Sequence, residues 1–138
     1  MRIAIRFLIF IVLTLLIFLL IDCWQQSVAE KQDGFTETNP WAYYLYTDPE
    51  VRNAPELSKD IKFLFQSQDG SRPEMSSIVY QGKAEAAPLR AYLSNLGYQR
   101  TTDKDEERWQ KNNVPLPAFL IVVDKSNNRI TLSKIAFN

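Results

Sequence analysis

One apolar run near the start of the chain constrains this sequence more than any other feature. Of the 15 residues from Phe7 to Ile21, 14 are Leu, Ile, Val or Phe, and the exception is Thr14. At about −0.3 to −0.6 kcal/mol per such residue, the run favours the bilayer by roughly 4 to 8 kcal/mol. A helix that faced a protein core would keep a polar side. The pattern therefore predicts a transmembrane signal anchor over residues 1–22.

Residues on either side of the run complete the predicted span. A span needs about 20 residues. Extending the run back to Ile3 gives 19 residues and includes Arg6. Arg6 lies near the end of the span, where its long side chain can carry the guanidinium to the headgroups. Trp24 follows the run and suits the membrane–water interface. We expect these residues to form the membrane anchor: Arg2, Arg6, Phe7, Leu15, Ile21 and Trp24.

Charge predicts the orientation of this helix. Arg2, Arg6 and the amino terminus precede the run, whereas four acidic residues and one lysine follow it before residue 38. The positive-inside bias places the N-terminus in the cytoplasm and the remaining 116 residues in the periplasm. The expected location is the bacterial inner membrane, crossed once.

Three forms of the mature N-terminus are open. The helix can be retained as an anchor, which the sequence favours. It can be cleaved after Ala29, because Ser27 and Ala29 are small residues at the two positions that a signal peptidase reads. Cys23 can carry a lipid, because residues 20–23 resemble a bacterial lipobox, although Asp22 is charged where a small residue is needed.

Beyond the run, the chain predicts a tether and one domain. Residues 23–38 are polar, contain Gly34 and lack apolar periodicity, as is typical of a linker. Residues 39–138 predict a small α+β domain, in which a single helix packs on one face of an antiparallel sheet. That helix begins at Pro88 and ends before Gly97. The predicted strands are 41–46, 61–65, 78–80, 98–102, 108–111, 118–123 and 129–137.

Composition argues against catalysis and against several ligand classes. The chain has no His and one Cys, which removes the commonest general base and metal ligand, an internal disulfide and a zinc knuckle. Residues 23–138 carry 14 basic and 15 acidic side chains, so there is no broad basic field for nucleic acid. Ser133 and Lys134 point to opposite faces of a strand and cannot form a dyad. We expect a protein that is not an enzyme and binds no cofactor, metal or nucleic acid.

The aromatic segment from Trp41 to Tyr46 (WAYYLY) is the most suggestive surface feature. As a strand it would place Trp41 and Tyr43 on one face and Tyr44 and Tyr46 on the other. One face can meet the core, and exposed aromatic residues are favoured at protein contacts. A second layer or the loop 47–59 could equally cover them. We expect Trp41, Tyr43, Tyr44 and Tyr46 to bind a partner, with the first strand as a sheet edge open to a partner's strand.

These features predict a non-enzymatic, single-pass membrane protein whose periplasmic domain binds another envelope protein as a regulatory or stabilising companion. The layout is similar, in architecture alone, to that of the periplasmic companions of membrane-embedded transcription regulators. An immunity or exclusion protein that neutralises a periplasmic toxin is an alternative, through Tyr44 and Tyr46 or the acidic run 103–107, which we expect to be a hydrated turn. Another is a small-ligand binder, whose pocket would be lined by Phe63, Phe65, Leu93 and Phe119.

Overall fold

The computed structural model describes residues 2–30, 33–101 and 106–137. A long helix, α1 (Arg2–Ala29), precedes an antiparallel sheet with short helices. The short helices are α2 (Pro40–Tyr46), α3 (Pro49–Arg52) and α4 (Ala87–Asn95). The strands are β1 (Asp60–Gln66), β2 (Glu74–Gln81), β3 (Gln99–Arg100), β4 (Glu106–Gln110), β5 (Ala118–Asp124) and β6 (Arg129–Ala136). The predicted α+β class is confirmed, but three short helices accompany the sheet where one was expected.

The sheet has the strand order β1-β2-β6-β5-β4-β3, and every neighbouring pair is antiparallel. The apolar run 118–123 lies in β5, next to β6 at the centre of the sheet. A row of paired residues crosses four strands on one face, which we call the core face: Phe63, Ile78, Leu132 and Ile121. All four are at most 3% exposed, so this face carries the hydrophobic core.

The short helices pack on the core face. Ala42 of α2, Val51 of α3, and Leu89 and Leu93 of α4 belong to the same buried cluster as the row across the strands. Each fully buried leucine stabilises the fold by roughly 1.5 to 3 kcal/mol. Helix α4 is the one that the sequence predicted, and Gly97 follows its end with a φ of 86°, a conformation that glycine adopts without strain.

The segment from Pro40 to Tyr46 is a helix, so the strand predicted there is wrong. The side chain of Asn39 caps it by accepting a hydrogen bond from the backbone N–H of Ala42 at 3.3 Å, and the proline occupies the first turn. Helical spacing then turns Ala42, Tyr43 and Tyr46 toward the core. The cap, the proline and this burial outweigh the β propensity of the aromatic residues.

Helix α1 continues beyond the predicted span, through the first part of the predicted tether. Ala29 is fully buried, and the hydroxyl of Ser67 donates a hydrogen bond to the carboxylate of Glu30. Phe35 then forms an antiparallel bridge with Phe63, with N···O distances of 2.8 and 2.7 Å. The chain therefore packs on the domain both before residue 31 and after residue 32. Ala29 is buried before this gap, and Phe35 pairs with the edge strand β1 after it.

Candidate functional site

Helix α1 is apolar and solvent-facing over most of its length. Its stretch Ile5–Ala29 is long and apolar enough to cross a membrane, with a mean hydropathy of 2.8 in an 18-residue window of which no part is buried in the protein. The predicted anchor residues whose side chains are described are all exposed on this helix: Arg6, Phe7, Leu15, Ile21 and Trp24. The side chain of Arg2 lies outside the described part of the structure.

Helix α2 exposes an apolar surface beside the end of this run. Trp41, Tyr44 and Leu45 are 65%, 66% and 60% exposed, and we call these three residues the α2 surface. Trp41 and Leu45, which lie one turn apart, line a groove together with Phe18, Ile21 and Asp22 of α1. The α2 surface is therefore continuous with the apolar surface of α1.

The other two tyrosines predicted to bind a partner face the domain. The ring of Tyr43 lies edge-on to that of Phe63 with centroids 5.0 Å apart, and Tyr46 lies 5.1 Å from Phe65. Burial raises the pKa of both phenols, and the nearby Asp22 carboxylate raises that of Tyr46 further. The helix therefore places these two tyrosines together on its inner side, in place of the alternation expected of a strand.

An ion cluster on the core face ties α3 to the sheet. The ammonium nitrogen of Lys134 lies 2.8 Å from a carboxylate oxygen of Asp48 and 2.8 Å from one of Glu50. The hydroxyl of Tyr98 also donates to Glu50, at 3.3 Å. Burial acts to lower the pKa of Lys134, but its hydrogen bonds to the two carboxylates and their charges raise the pKa overall. The charge-assisted hydrogen bonds of this cluster join the N-terminal end of α3 to β6.

A second ion cluster ties α4 to β4. Glu107 is 6% exposed, and the guanidinium of Arg90 lies 3.0 Å from both of its carboxylate oxygens through Nε and 2.5 Å from Oε1 through Nη2. Burial acts to raise the pKa of Glu107, but the hydrogen bonds and charge of Arg90 outweigh it and lower the pKa. The predicted hydrated turn is therefore wrong at Glu107, whereas Asp103 and Asp105 lie outside the described residues.

The face of the sheet opposite the core face, which we call the outer face, carries apolar residues in three neighbouring strands. Val79 of β2, Ile135 of β6, and Leu120 and Val122 of β5 occupy outward positions. Val122 is 38% exposed, Leu120 and Ile135 are partly exposed, Val79 is buried, and the short helices pack on the other face. Outward positions of an antiparallel sheet that faces water are usually polar. The outer face departs from that pattern and is the second candidate binding surface.

The residues considered for catalysis are separated as the sequence predicted. The side chain of Ser133 lies on the outer face, where it accepts a hydrogen bond from Ser77 at 2.7 Å, and Lys134 lies on the core face. Among the described residues, no three His, Cys, Asp or Glu side chains gather where they could hold a metal ion. The expectation that the protein has no enzymatic activity, cofactor, metal or nucleic-acid partner remains a prediction.

The residues proposed to line a ligand pocket have a simpler role. Phe63, Leu93 and Phe119 are buried in the continuous core, and Phe65 packs against it. Leu45 was expected to share a strand face with Trp41 and Tyr43 but was not among the predicted binding residues, and the structure adds it to the α2 surface. The pair Asn39-Pro40, an N-cap followed by a first-turn proline, was the signal that could have revealed it.

Taken together, the fold and these surfaces define a small α+β domain joined to an apolar helix of membrane-spanning length. Comparison with protein-family models, curated proteins and solved structures found no match.

Proposed function

We propose that this chain is a non-enzymatic, single-pass protein of the bacterial inner membrane whose periplasmic domain binds another envelope protein. Its role is that of a regulatory or stabilising companion to that partner. The observation that carries the proposal is the exposure of Val122, with Leu120 and Ile135 partly exposed, on the outer face of the sheet, because the short helices that cover the core pack on the opposite face.

The dimensions of α1 support its role as the anchor. Its 28 residues extend about 42 Å at 1.5 Å per residue, compared with about 30 Å for the hydrocarbon core of a bilayer. The excess corresponds to about eight residues, close to the polar segment from Asp22 to Ala29. The arginines before the run favour a cytoplasmic N-terminus, which puts the domain in the periplasm.

We infer that the helix is retained. Ala29 is helical and fully buried, so the helix up to this residue forms part of the folded structure. Cys23 lies within the same helix, one residue after the charged Asp22. The mass of the mature protein distinguishes retention from cleavage after Ala29 and from a lipid on Cys23.

The outer face suits a protein partner in the same membrane. Val122 is exposed next to Leu120 of the same strand, and its cross-strand neighbours are Thr131 and Glu106, so the outer face offers an apolar contact with a polar rim, as protein interaction sites do. The contacts of Ala29 and Phe35 hold the domain close to the end of α1, which restricts its distance from the bilayer. A partner in that membrane meets the patch at a raised effective concentration.

Site-specific photo-crosslinking in cells tests the proposal. A photoreactive residue at Val122 of the full chain should give a crosslink to one envelope protein, identified by mass. The same residue at Lys125, which is exposed in the turn after β5, serves as the matched control and should give none. Val122→Asp should weaken copurification of that protein. A crosslink only between two copies of this chain, or equal products at both positions, would contradict the proposal.

A further inference from the structure

The α2 surface lies at a defined level relative to α1. Trp41 and Leu45 share a groove with Phe18, Ile21 and Asp22, and Phe18 lies one helical turn inside the end of the apolar run, whereas Asp22 directly follows it. Any position of α1 that keeps Phe18 within the hydrocarbon therefore brings Trp41 and Leu45 to the boundary between the acyl chains and the headgroups.

The residue types of the α2 surface suit this boundary. Tryptophan and tyrosine are enriched there, because an apolar ring and a polar edge match its two sides. The guanidinium of Arg52 lies 5.0 Å from the centroid of the Tyr44 ring, so a cation stands beside the aromatic residues, as phosphate headgroups favour. Trp24, on α1, is 67% exposed just beyond the apolar run.

The inner side of α2 restricts its movement away from this level. Ala42 is fully buried, and the rings of Tyr43 and Tyr46 pack against Phe63 and Phe65 of β1. The end of α1 is attached to the same strand region through Ala29 and Glu30. To withdraw the α2 surface from α1, the domain would have to give up these contacts.

We infer that the α2 surface inserts into the outer headgroup–acyl boundary of the bilayer, so that the domain rests on the membrane and does not hang from a tether. This inference rests on the proposed insertion of α1. Lipid is the occupant because one wall of the groove is the lipid-facing side of α1, and a soluble protein could reach it only by displacing lipid. Trp41 and Leu45 then serve as membrane contacts, and the outer face remains for a protein partner.

Quenching of tryptophan fluorescence by brominated lipid tests the inference. The full chain is placed in phosphatidylcholine vesicles with or without bromine on the acyl chains, in three versions that each keep one tryptophan and replace the other two with phenylalanine. Trp41 should lose emission to a similar extent as Trp24. Trp109, which is 5% exposed inside the domain, is the matched control and should lose little.

The outcomes separate the inference from the proposed function. Quenching of Trp41 and Trp24 but not Trp109 supports both. If Trp24 is quenched but Trp41 responds as little as Trp109, the inference is overturned, whereas the proposed anchor is still supported. If neither Trp24 nor Trp41 responds, the anchor fails and the inference falls with it.

A second measurement avoids any change to the buried Trp109. In a Cys23→Ser background, Tyr44→Cys is labelled with an environment-sensitive fluorophore, and Lys125→Cys is the matched control. In the same phosphatidylcholine vesicles, the emission maximum from position 44 should lie at a shorter wavelength than that from position 125. Emission from position 44 that matches the water-exposed position 125 in lipid would overturn the inference.

Discussion

Replacing Lys134 with methionine removes the cation from between two carboxylates and leaves a side chain of similar length. Asp48 and Glu50 then face each other on the core face without the ammonium group that lies 2.8 Å from each in the native protein. Asp48 also caps α3 by accepting from the backbone N–H of Glu50 at 2.8 Å. The substitution therefore strains the attachment of α3 to the sheet.

The expected loss is about 3 kcal/mol of the free energy of unfolding. Removal of one partner from a buried ion pair costs about 3 to 5 kcal/mol. The low end applies because Lys134 is 15% exposed and its two partners are 24% and 31% exposed, so water reaches the carboxylates that remain. For a domain of about 100 residues, this loss lowers the melting temperature by roughly 12 to 24 °C.

Urea unfolding of the full chain in detergent micelles measures this loss, with Trp109 as the reporter in a Trp24→Phe/Trp41→Phe background. The informative control is the triple variant Asp48→Asn/Glu50→Gln/Lys134→Met, which neutralises all three charges and keeps a good N-cap residue at position 48. We expect it to regain more than half of the loss, because an uncharged replacement for a buried ion cluster is often neutral.

Two results would refute this reasoning. One is a Lys134→Met variant whose free energy of unfolding lies within about 0.5 kcal/mol of the native value, the range of an ordinary surface change. The other is a triple variant no more stable than the single one. The pH dependence adds a check: because folding raises the pKa of Lys134, its stabilisation is complete below the ordinary value of 10.5 and is lost as the pH rises through the folded pKa.

Three further predictions concern other parts of the domain. Because the pKa of Glu107 is lowered in the folded state, its stabilisation is present above the ordinary value of 4.5 and lost as the pH falls, so Glu107→Gln should flatten the acid limb of a stability–pH curve. Gly34→Ala would place a Cβ 2.5 Å from the carbonyl oxygen of Phe63 at a φ of 70°, whereas Gly70→Ala at 56° meets open space. In urea unfolding, Gly34→Ala should therefore lose at least about 1 kcal/mol more than Gly70→Ala, and equal losses would contradict the described contact. Asn39→Ala should cost about 1 kcal/mol through loss of the α2 cap, and no change in the urea midpoint would count against that cap.

The parts of the domain that the sequence predicted are those where local pattern and tertiary contacts agree. The alternation of Ile61, Phe63 and Phe65 marked β1, and the run 118–123 marked β5, because each pattern follows directly from which side chains meet the core face. Helix α4 carried its own start and stop signals, and these suffice without knowledge of the sheet.

The parts that the sequence did not predict depend on contacts with distant residues. Ala29 and Phe35 lie in a polar segment, and only their meeting with β1 shows that this segment packs on the domain. Glu107 belongs to an acidic run typical of a hydrated turn, but Arg90 on another element pairs with it and permits its burial. Composition alone contains no information about such partners.

The sequence predicted the exposure of only some of the aromatic residues of α2, and their binding role stays a prediction. Exposure of Trp41 and Tyr44 agrees with the surface role expected of them, but the role of Tyr43 and Tyr46 changes because a helix and a strand distribute the same residues over different faces. The outer face was not predicted, because outward apolar residues in a strand look like core residues until the opposite layer is known.

The most direct test of this account is the position of the domain relative to the inner membrane. In a Cys23→Ser background, Lys125→Cys is treated with a membrane-impermeant maleimide in cells whose outer membrane alone has been made permeable. We predict that position 125 is labelled in these cells and that the labelled chain stays with the membranes after an alkaline wash. Labelling only after the inner membrane has been broken, or a labelled chain in the soluble fraction, would contradict the account.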